Sequence, residues 1–281
     1  MPELPEVETI VRKLHQHIVG KTVTQVQVLH PKSLHGEAST LRGQVIHDVS
    51  RRAKIIRVQL PHELNILIHL KMTGQLIYTD PTTRIGGGHP TDDWVGALPS
   101  SHTRIIARLG DAATLYFNDQ RLFGWWKIMD DTQVEAEFAR LGLDIIDPRF
   151  TALDLFTAFQ RTAMPVKVAL MDTRFVSGVG NIYACDALNL ARISPWRPAK
   201  SLTRTEVSSL FDAAQSVIRL GIELGGATIH DYRDVDGFAG KYQDVVLAYG
   251  REGQPCYNCA APLIKATLSG RGTYYCESCQ N

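Results

Sequence analysis

Four of the five cysteines stand in two Cys-x-x-Cys pairs near the end of the chain, at Cys256, Cys259, Cys276 and Cys279. Sixteen residues separate the pairs, and a hairpin of that length can bring four thiolates around Zn²⁺. So short a segment has no core of its own, so the metal must hold its fold together. Four thiolates leave no open coordination position. The sequence therefore predicts one structural zinc ion, with disulfides or free thiols as the alternative.

Arg271 lies between Gly270 and Gly272, at the expected turn between the cysteine pairs. An exposed guanidinium on a rigid ribbon suits contact with a phosphate through two hydrogen bonds. A solvated turn arginine explains these residues equally well. Zinc ribbons serve many kinds of protein, so the motif predicts a module and not an activity.

Upstream, hydrophobic periodicity divides the chain into a β-rich part and a helical part. Residues 4–19 have apolar side chains at helical spacing, with Pro5 in the first turn and Gly20 at the end. Alternating apolar and polar residues predict half-buried strands at residues 23–29, 44–49, 54–60, 65–70, 75–78, 103–109, 114–117 and 125–129. Helices are predicted at residues 153–159, 166–171, 181–189 and 203–223.

This order of elements predicts an α+β protein: an N-terminal antiparallel β-sandwich with a leading helix, a helical domain and a C-terminal zinc ribbon. The predicted boundaries are residues 1–130, 131–240 and 241–281. Two polar, glycine-containing stretches, residues 81–101 and 231–241, predict surface loops.

The formal net charge of +1 is low for a protein that binds nucleic acid. Phosphate binding requires a local basic face rather than a basic whole. The chain does not begin like a signal peptide and has no stretch long enough to span a membrane, so we expect a cytoplasmic protein. Residues 41–75 are locally basic: Arg42, Arg51, Arg52, Lys54, Arg57 and Lys71 stand against Asp48 and Glu63.

Pro2, behind the initiator methionine, is the most informative single position. Removal of Met1 would leave Pro2 with a free secondary amine, and an α-amino group titrates near about pH 7.7–8.0. A useful fraction is therefore nucleophilic at physiological pH. Attack on a sugar C1′ would give an iminium, which makes the neighbouring sugar protons acidic and promotes strand elimination. Position 2 alone favours the alternative, an ordinary second residue.

Two acids follow this proline. Either Glu3 or Glu6 could protonate the sugar ring oxygen or the leaving base, while the other positions it. The alternative is ordinary helix chemistry, since acids in a first turn stabilise the positive end of a helix. Glu8 is assigned to that alternative.

Together these features resemble formamidopyrimidine-DNA glycosylases. The first nine residues are similar to the start of that family, and the similarity covers almost the whole chain. Each fragment alone is weak, but the set in this order is specific. The other fragments are Arg51-Arg52-Ala53-Lys54, His69-Leu70-Lys71-Met72-Thr73-Gly74, Arg121-Leu122-Phe123-Gly124, Gly178-Val179-Gly180-Asn181-Ile182-Tyr183-Ala184, Ala248-Tyr249-Gly250-Arg251 and the zinc ribbon with Arg271.

The resemblance implies a helix–two-turn–helix DNA-binding domain between the sandwich and the ribbon. It implies that Pro2 is the nucleophile, Glu3 the general acid and Glu6 its supporting acid. Lys54 matches the lysine that grips a phosphate near the lesion, and a solvated strand lysine is the alternative. Residues 231–241 correspond to the family's flexible loop over the flipped base.

A base must leave the stack before C1′ is accessible, and the space it leaves must be filled. Met72, Arg121 and Phe123 match the family's filling residues: two apolar wedges and an arginine that can bond the orphaned base. Spacing alone favours ordinary core for Met72 and Phe123. The resemblance also implies contacts to the DNA backbone at His69, Lys167, Asn181, Tyr249 and Arg271.

The chain departs from the family at three places. Leu122 stands where a lysine or arginine is usual, and Cys185-Asp186 replaces the usual acidic pair. The stretch at residues 81–101 is longer than usual. These departures leave the predicted chemistry intact.

The sequence thus predicts a monomeric bacterial repair enzyme that associates with the nucleoid when it acts on damaged duplex DNA. It would excise 8-oxoguanine and formamidopyrimidines opposite cytosine and then cut the strand by β,δ-elimination. One competitor is an endonuclease VIII-like enzyme for oxidised pyrimidines, which typically has glycine where this chain has Leu4. The other is a DNA-binding protein that keeps the fold but has no covalent chemistry.

Overall fold

The computed structural model describes residues 2–89, 91–227 and 240–281. The described residues within Met1–Ala139 and Gly225–Gly240 form one unit. Those within Arg140–Leu224 and Lys241–Asn281 form a second. Each unit has its own architecture and contains part of the predicted site.

The first unit is a sandwich of two five-stranded sheets. Its strands are β1 (Val23–Val28), β2 (Leu34–His35), β3 (Asp48–Arg52), β4 (Ile55–Gln59), β5 (Leu64–His69), β6 (Gly74–Thr79), β7 (Arg84–Gly88), β8 (Thr103–Leu109), β9 (Ala113–Asp119) and β10 (Trp125–Asp130). One sheet has the order β1-β8-β9-β6-β7 and the other β2-β10-β5-β4-β3. The pairs are antiparallel except that β2 runs parallel to β10.

Apolar side chains from the two sheets meet in the core. On β4, Ile56 and Val58 are buried while the intervening Arg57 is less so, which is the alternation of a half-buried strand. Phe117 of β9 and Trp126 of β10 pack with ring centroids 6.1 Å apart and so join the two sheets.

Helix α1 (Leu4–Ile18) packs against β3 and β7, the edge strands of the two sheets. Its apolar side chains, including Val7 and Ile10, lie on one buried stripe. The Nε of Arg51 on β3 also donates to Glu8 at 2.7 Å. These contacts fix the N-terminal turn, which carries the predicted catalytic residues, to the sandwich.

Residues 81–101 are not the unstructured loop that the sequence predicts. β7 extends the sheet beside β6, and Trp94 covers Gly86 so closely that a Cβ at position 86 would lie 3.1 Å from the indole. This segment therefore adds a small second core to the sheet, formed by Ile77, Trp94, Ile106 and Tyr116.

Two chain crossovers connect the sheets at one end of the sandwich. The first crossover, residues 70–73, joins β5 to β6, and the second crossover, residues 120–124, joins β9 to β10. They are neighbours because β5 pairs with β10 and β6 pairs with β9. The two crossovers thereby lie side by side, although about 50 positions separate them in the chain.

The first unit ends with helix α2 (Asp131–Phe138), which the sequence analysis does not predict. Among its described residues, the second unit contains the helices α3 (Ala152–Phe159), α4 (Val166–Leu170), α5 (Asn181–Leu190) and α6 (Arg204–Glu223). A capping box from Thr203 to Glu206 begins α6, at the start of the helix that the sequence predicts for residues 203–223. No described helix is both long and apolar enough to cross a bilayer.

Strands β11 (Ile264–Leu268) and β12 (Arg271–Tyr275) form a hairpin near the end of the chain. Ser269 and Gly270 make its two-residue turn with φ values of 49° and 73°, which suit the primed turns of tight hairpins. Arg271 therefore begins β12 rather than occupying the turn itself.

The α+β prediction is confirmed, including the antiparallel sandwich, its leading helix and the C-terminal hairpin. Seven of the eight predicted strands lie within a few residues of their observed positions; in the region of residues 44–49, β3 begins only at Asp48. The predicted loop at residues 231–241 lies outside the described residues except for its last two positions.

We expect Gly87→Ala to lower the free energy of unfolding by about 1–3 kcal/mol, as overpacking of a core does. The reason is that a Cβ at position 87 would lie 2.3 Å from Cγ1 of Ile10, so α1 would have to move away from β7. Equilibrium urea unfolding measures the change. In an Ile10→Ala background the same substitution should destabilise much less, and an equal loss in both backgrounds would contradict this packing.

Candidate active site and nucleic-acid interface

The first turn of α1 holds the predicted catalytic residues in one arrangement. Pro2 and Glu3 are buried, and only 3% of Glu3 is exposed. The backbone N–H of Glu3 donates to Oε2 of Glu6 at 2.7 Å, as a capping-box acid accepts from an N-cap residue. Helix geometry therefore sets the position of the residues next to the chain start. Met1, whose removal the sequence analysis predicts, lies outside the described residues.

The second oxygen of Glu6 connects this turn to a distant part of the chain. Oε1 accepts from the backbone N–H of Ala227 at 2.7 Å. Gly226 lies so close that a Cβ there would be 2.8 Å from Glu6, and its φ is +88°. Only glycine meets both requirements without strain. Glu6 thus binds two backbone amides, one through each oxygen.

Lys54 lies in the two-residue turn between β3 and β4. Arg52 pairs with Ile55 across the turn, and Ala53 adopts a left-handed φ of 55°. Because Ile56 lies opposite Ile68 on β5, this turn reaches the end of the sheet where β5 finishes. The register therefore brings Lys54 to the region of His69.

His69 is a neutral imidazole with a defined tautomer. Burial, together with the positive charges of Lys71 and Lys54, lowers the pKa of His69 to about 3. The backbone N–H of Lys71 donates to Nδ1 at 3.0 Å, so Nε2 of the neutral ring carries the proton. The Nε2–H group is a donor of the kind that binds a phosphate oxygen.

The predicted filling residues lie on the two crossovers. Met72 on the first crossover is 39% exposed, and Phe123 on the second is 52% exposed, which excludes the ordinary core as an explanation. The guanidinium carbon of Arg121 lies 4.8 Å from the centroid of the Phe123 ring, within the range of a cation–π contact. Leu122 between them has φ +58°.

In the second unit, the side chain of Lys167 is buried, whereas a residue that contacts the DNA backbone directly must be exposed. Lys167 is 1% exposed, and its Nζ donates to Oδ1 of Asn181 at 2.6 Å, Oγ1 of Thr273 at 2.7 Å and the carbonyl of Gly272 at 3.2 Å. An ammonium has three donors, so these partners occupy all of them. Asn181 also donates to Gly272 at 2.9 Å. Lys167 therefore holds Asn181 to the hairpin that carries Arg271.

Asp186 holds the segment that contains Tyr249. Its carboxylate accepts from the backbone N–H groups of Leu247, Ala248 and Tyr249 at 2.9–3.0 Å and from the hydroxyl of Tyr242 at 2.9 Å. Burial raises the pKa of Asp186, and these four hydrogen bonds act against the increase. The Tyr249 ring packs against that of Tyr274, with centroids 5.0 Å apart.

The four cysteines form a site that fits a tetrahedral metal ion. All four Sγ atoms lie within 4.8 Å of one another, close to the spacing expected around a metal with bonds of about 2.3 Å to sulfur. Although burial acts to raise it, the backbone amides of Asn258 and Cys259 lower the pKa of Cys256 to about 7. These amides favour a thiolate, the form that binds metal. The predicted ligands are therefore brought together.

Comparisons with known proteins agree with this arrangement. A family model of the formamidopyrimidine-DNA glycosylase N-terminal domain matches residues 1–126, and one of the H2TH domain of the same glycosylases matches residues 141–233. The formamidopyrimidine-DNA glycosylase of Herpetosiphon aurantiacus is 37% identical over the full length of both chains.

Solved structures are similar as well. The MutM (FPG) protein of Thermus thermophilus superposes with a TM-score of 0.85 at 36% identity, covering 99% of this chain and 98% of the other. A mutant FPG of Lactococcus lactis in complex with a Fapy-dG-containing DNA superposes with a TM-score of 0.89 at 27% identity, covering 99% of both chains.

Sequence reasoning missed the residues that position the site. Asp186 was treated only as a departure from the family, and Thr73 and Asp119 were not singled out. A buried acid has no local signature, because its partners are backbone amides far away in the chain. For Asp119, the one available signal is an acid placed just before an Arg-x-Phe-Gly motif.

We expect His69 to make the fold less stable in acid. The unfolded chain protonates this side chain below about pH 6.5, whereas the folded chain does so only near pH 3. Protonation therefore favours the unfolded state in this window, and stability falls as the pH decreases. Between pH 7 and pH 5 the loss from His69 should be about 2 kcal/mol. Denaturant unfolding of the wild type and of His69→Asn at both pH values measures it. An equal loss in both proteins would contradict a neutral His69 ring.

Proposed function

This chain belongs to the formamidopyrimidine-DNA glycosylase family, and we propose that it excises oxidised purines from duplex DNA and then cuts the strand. The proposed lesions are 8-oxoguanine and formamidopyrimidines opposite cytosine. The observation that carries the proposal is the buried turn in which Pro2 and Glu3 precede helix α1 and the Glu6 carboxylate accepts the backbone N–H of Glu3.

In the proposed first step, processing frees the nitrogen of Pro2, which attacks C1′ of the damaged nucleotide. The N–C1′ bond forms as the glycosidic bond breaks, and the base leaves with the electron pair of that bond. Glu3 supplies the proton for departure, either to the sugar ring oxygen or to the base. Its position supports this role, because the Glu3 side chain is buried beside Pro2 at the start of α1.

The proline nitrogen then loses its proton, and its electron pair forms the C1′=N⁺ bond as the C1′–O4′ bond breaks and O4′ takes up a proton, which opens the sugar ring. The resulting iminium carries a fixed positive charge. Withdrawal of electrons by this iminium makes the C2′ proton acidic, so its removal expels the 3′ phosphate. A second elimination along the chain of carbons expels the 5′ phosphate. Addition of water to the remaining iminium releases the sugar fragment and regenerates the amine.

Glu6 serves in this scheme as a positioning residue. Each of its oxygens accepts a backbone N–H at 2.7 Å, from Glu3 and from Ala227. Because each oxygen of Glu6 is engaged by a backbone amide, its carboxyl group is held in place and is suited to orient Glu3.

The base becomes accessible by leaving the stack, and we propose that Met72, Arg121 and Phe123 occupy its place. The exposure of two apolar side chains on adjacent crossovers supports this role. An arginine stacked on Phe123 is pre-oriented to hydrogen-bond the orphaned cytosine. Unstacking costs a few kcal/mol, which these contacts offset.

The proposed contacts to the DNA backbone are Lys54 and His69 in the first unit and Asn181, Tyr249 and Arg271 in the second. Lys167 acts through Asn181 and Gly272, because its three donors are already engaged. We propose three functional parts, residues 1–130, 131–240 and 241–281, of which the second includes described residues from both structural units. We also propose that the protein is a monomer.

The metal of the cysteine site is proposed to be zinc, held by Cys256, Cys259, Cys276 and Cys279. Four thiolates and closely spaced sulfurs suit its tetrahedral coordination. When bound, zinc supplies folding energy to the hairpin and takes no part in the chemistry. The hairpin in turn presents Arg271, which is exposed at the start of β12.

The test of the nucleophile is borohydride trapping of processed protein on an 8-oxoguanine:cytosine duplex. Mass spectrometry should place the reduced crosslink on Pro2, and Pro2→Gly should abolish or greatly weaken it. Excision should be faster on this duplex than on one with thymine glycol. A crosslink found only on an internal lysine would overturn the mechanism, and binding without any crosslink would favour a non-enzymatic protein.

Glu3→Gln should slow excision of 8-oxoguanine by about 10²–10⁴-fold. A duplex that already carries an abasic site has no base to expel, so strand cleavage there should fall much less. Gel assays of both substrates measure the two rates. Glu135→Gln is a control for the change of carboxylate to amide, because Glu135 is an exposed side chain on α2; its rates should stay near those of the wild type.

Elemental analysis should find one zinc ion per chain, lost in Cys259→Ser but kept in Cys185→Ser, whose cysteine is the one outside the cluster. Zinc removal by a chelator should weaken DNA binding. It should also lower the slope of log K against log salt by about one phosphate contact, that of Arg271. Unchanged binding after complete zinc loss would refute the role of the hairpin.

A further inference from the structure

A buried carboxylate lies at the base of both crossovers. Asp119 is completely buried at the end of β9, where the second crossover begins. Its Oδ1 accepts from the Thr73 hydroxyl and, at 3.2 Å, from the backbone N–H of Arg121. Its Oδ2 accepts from the backbone N–H of Gly124 at 2.6 Å. One side chain thus binds the first crossover and both ends of the second.

Thr73 completes the link. Its hydroxyl donates to Asp119 and accepts from the Arg121 N–H at 3.1 Å, so this N–H is shared between the two side chains. Thr73 directly follows Met72 in the chain. The segment with the methionine wedge is therefore bonded to the segment with the arginine and the phenylalanine.

The main chain of Asp119 is fixed as firmly as its carboxylate. Its N–H donates to the carbonyl of His102 at 2.9 Å, and its carbonyl accepts from Nε of Arg104 at 2.8 Å. Both partners lie at the start of β8, a neighbouring strand in the sheet. Asp119 is therefore a fixed point of the sandwich and not part of a movable loop.

The second crossover requires such an anchor. Leu122 has φ +58°, a conformation that persists in a non-glycine residue only when its surroundings hold it there. At Gly124 a Cβ would lie 2.8 Å from the Phe117 ring and 3.1 Å from Oδ2 of Asp119. A side chain at position 124 would thus collide with the Phe117 ring and crowd the carboxylate.

We propose that Asp119, together with Thr73, is a positioning residue that joins Met72, Arg121 and Phe123 into one preformed filler before DNA binds. This inference rests on the proposed function, in which these three side chains enter the space of the flipped base. Asp119 is buried and acts through them. A preformed filler avoids the loss of binding energy that ordering two loops on DNA would entail.

The experiment compares two substrates that differ in whether there is a space to fill. One is an 8-oxoguanine:cytosine duplex, on which excision is timed. The other is a single-stranded oligonucleotide with an abasic site, which has no base stack and is used for borohydride trapping. A residue that positions the filler should affect the first reaction and leave the second unchanged, whereas general damage to the fold would lower both.

Asp119→Asn keeps the shape but turns an NH₂ group toward one of the backbone N–H donors. We expect it to slow duplex excision by about ten- to a hundredfold, the scale of a misplacement of about 1 Å, with trapping on the single strand unchanged. Thr73→Val should act in the same direction, and Thr73→Ser, which keeps the hydroxyl, should restore activity. Thr114→Val is the matched control at the other end of β9 and should match the wild type on both substrates.

A double-mutant cycle tests whether Asp119 acts through the wedges. In a background of Met72→Ala with Phe123→Ala, Asp119→Asn should slow duplex excision far less than it does alone, because its targets are gone. Thermal unfolding of each variant checks that it is folded. If Asp119→Asn does not fold, the duplex excision rates of Thr73→Val and Thr73→Ser are compared instead, and this comparison tests the inference.

The inference is wrong if folded Asp119→Asn and Thr73→Val excise from the duplex at the wild-type rate while Phe123→Ala is slow. It is also wrong if both substrates lose activity in parallel. Failure of the proposed function gives a different result, since the wild type itself would then form no crosslink through Pro2.

Discussion

The two hydrogen bonds accepted by Glu6 are the constraint on which the catalytic end of the protein depends. One joins the carboxylate to the Glu3 N–H and the other to the Ala227 N–H, each at 2.7 Å. Residues that precede a first helix are poorly ordered unless they are tied down. Here the helix that follows Pro2 and Glu3 packs on the edge strands of both sheets. The proposed nucleophile, Pro2, therefore lies beside a well-fixed turn, and the proposed attack on C1′ requires such precise placement.

The sandwich places the filling residues by topology rather than by local sequence. Met72 and Phe123 are about 50 residues apart, and they lie on neighbouring crossovers because the chain crosses between the sheets twice at the same end. The strand pairs fix that arrangement, with Trp125 opposite His69 in one sheet and Gly74 opposite Asp119 in the other. The second unit uses the same device on another scaffold, where buried Lys167 joins Asn181 to the hairpin. In each case a buried charge that is fully hydrogen-bonded fixes exposed groups suited to DNA.

Sequence reasoning succeeded where the physical cause is local. The stripe of Val7 and Ile10, the capping box at Thr203 and the two cysteine pairs all carry their signal within a few residues, and each element was found. It failed at β7, because three consecutive glycines have no side chains to alternate and read as a loop. It also did not reveal that the Lys167 side chain is buried, because a lysine in a short helix has the same local sequence whether its ammonium faces water or three internal acceptors. Asp119 was overlooked for the same reason, since its role depends on amides and a hydroxyl supplied by a second crossover.

Because the net charge is only +1, the buried residues Lys167 and Asp119 matter more for the recognition of DNA than they would in a strongly basic protein. Strongly basic proteins obtain affinity for DNA at long range, without regard to sequence or damage. Basic residues outnumber acidic ones in residues 41–75, and burial, together with the charges of Lys71 and Lys54, lowers the pKa of His69 and keeps its ring neutral. In the proposed reaction, discrimination between damaged and undamaged DNA then depends on shape. The three filling side chains fit only where a base has left the stack, so they stabilise a duplex with a flipped base and do not fit into an intact one. This discrimination requires that the filling side chains be held rigidly. In the proposed arrangement the buried Asp119 carboxylate holds them, and contact with the DNA is not needed to order them.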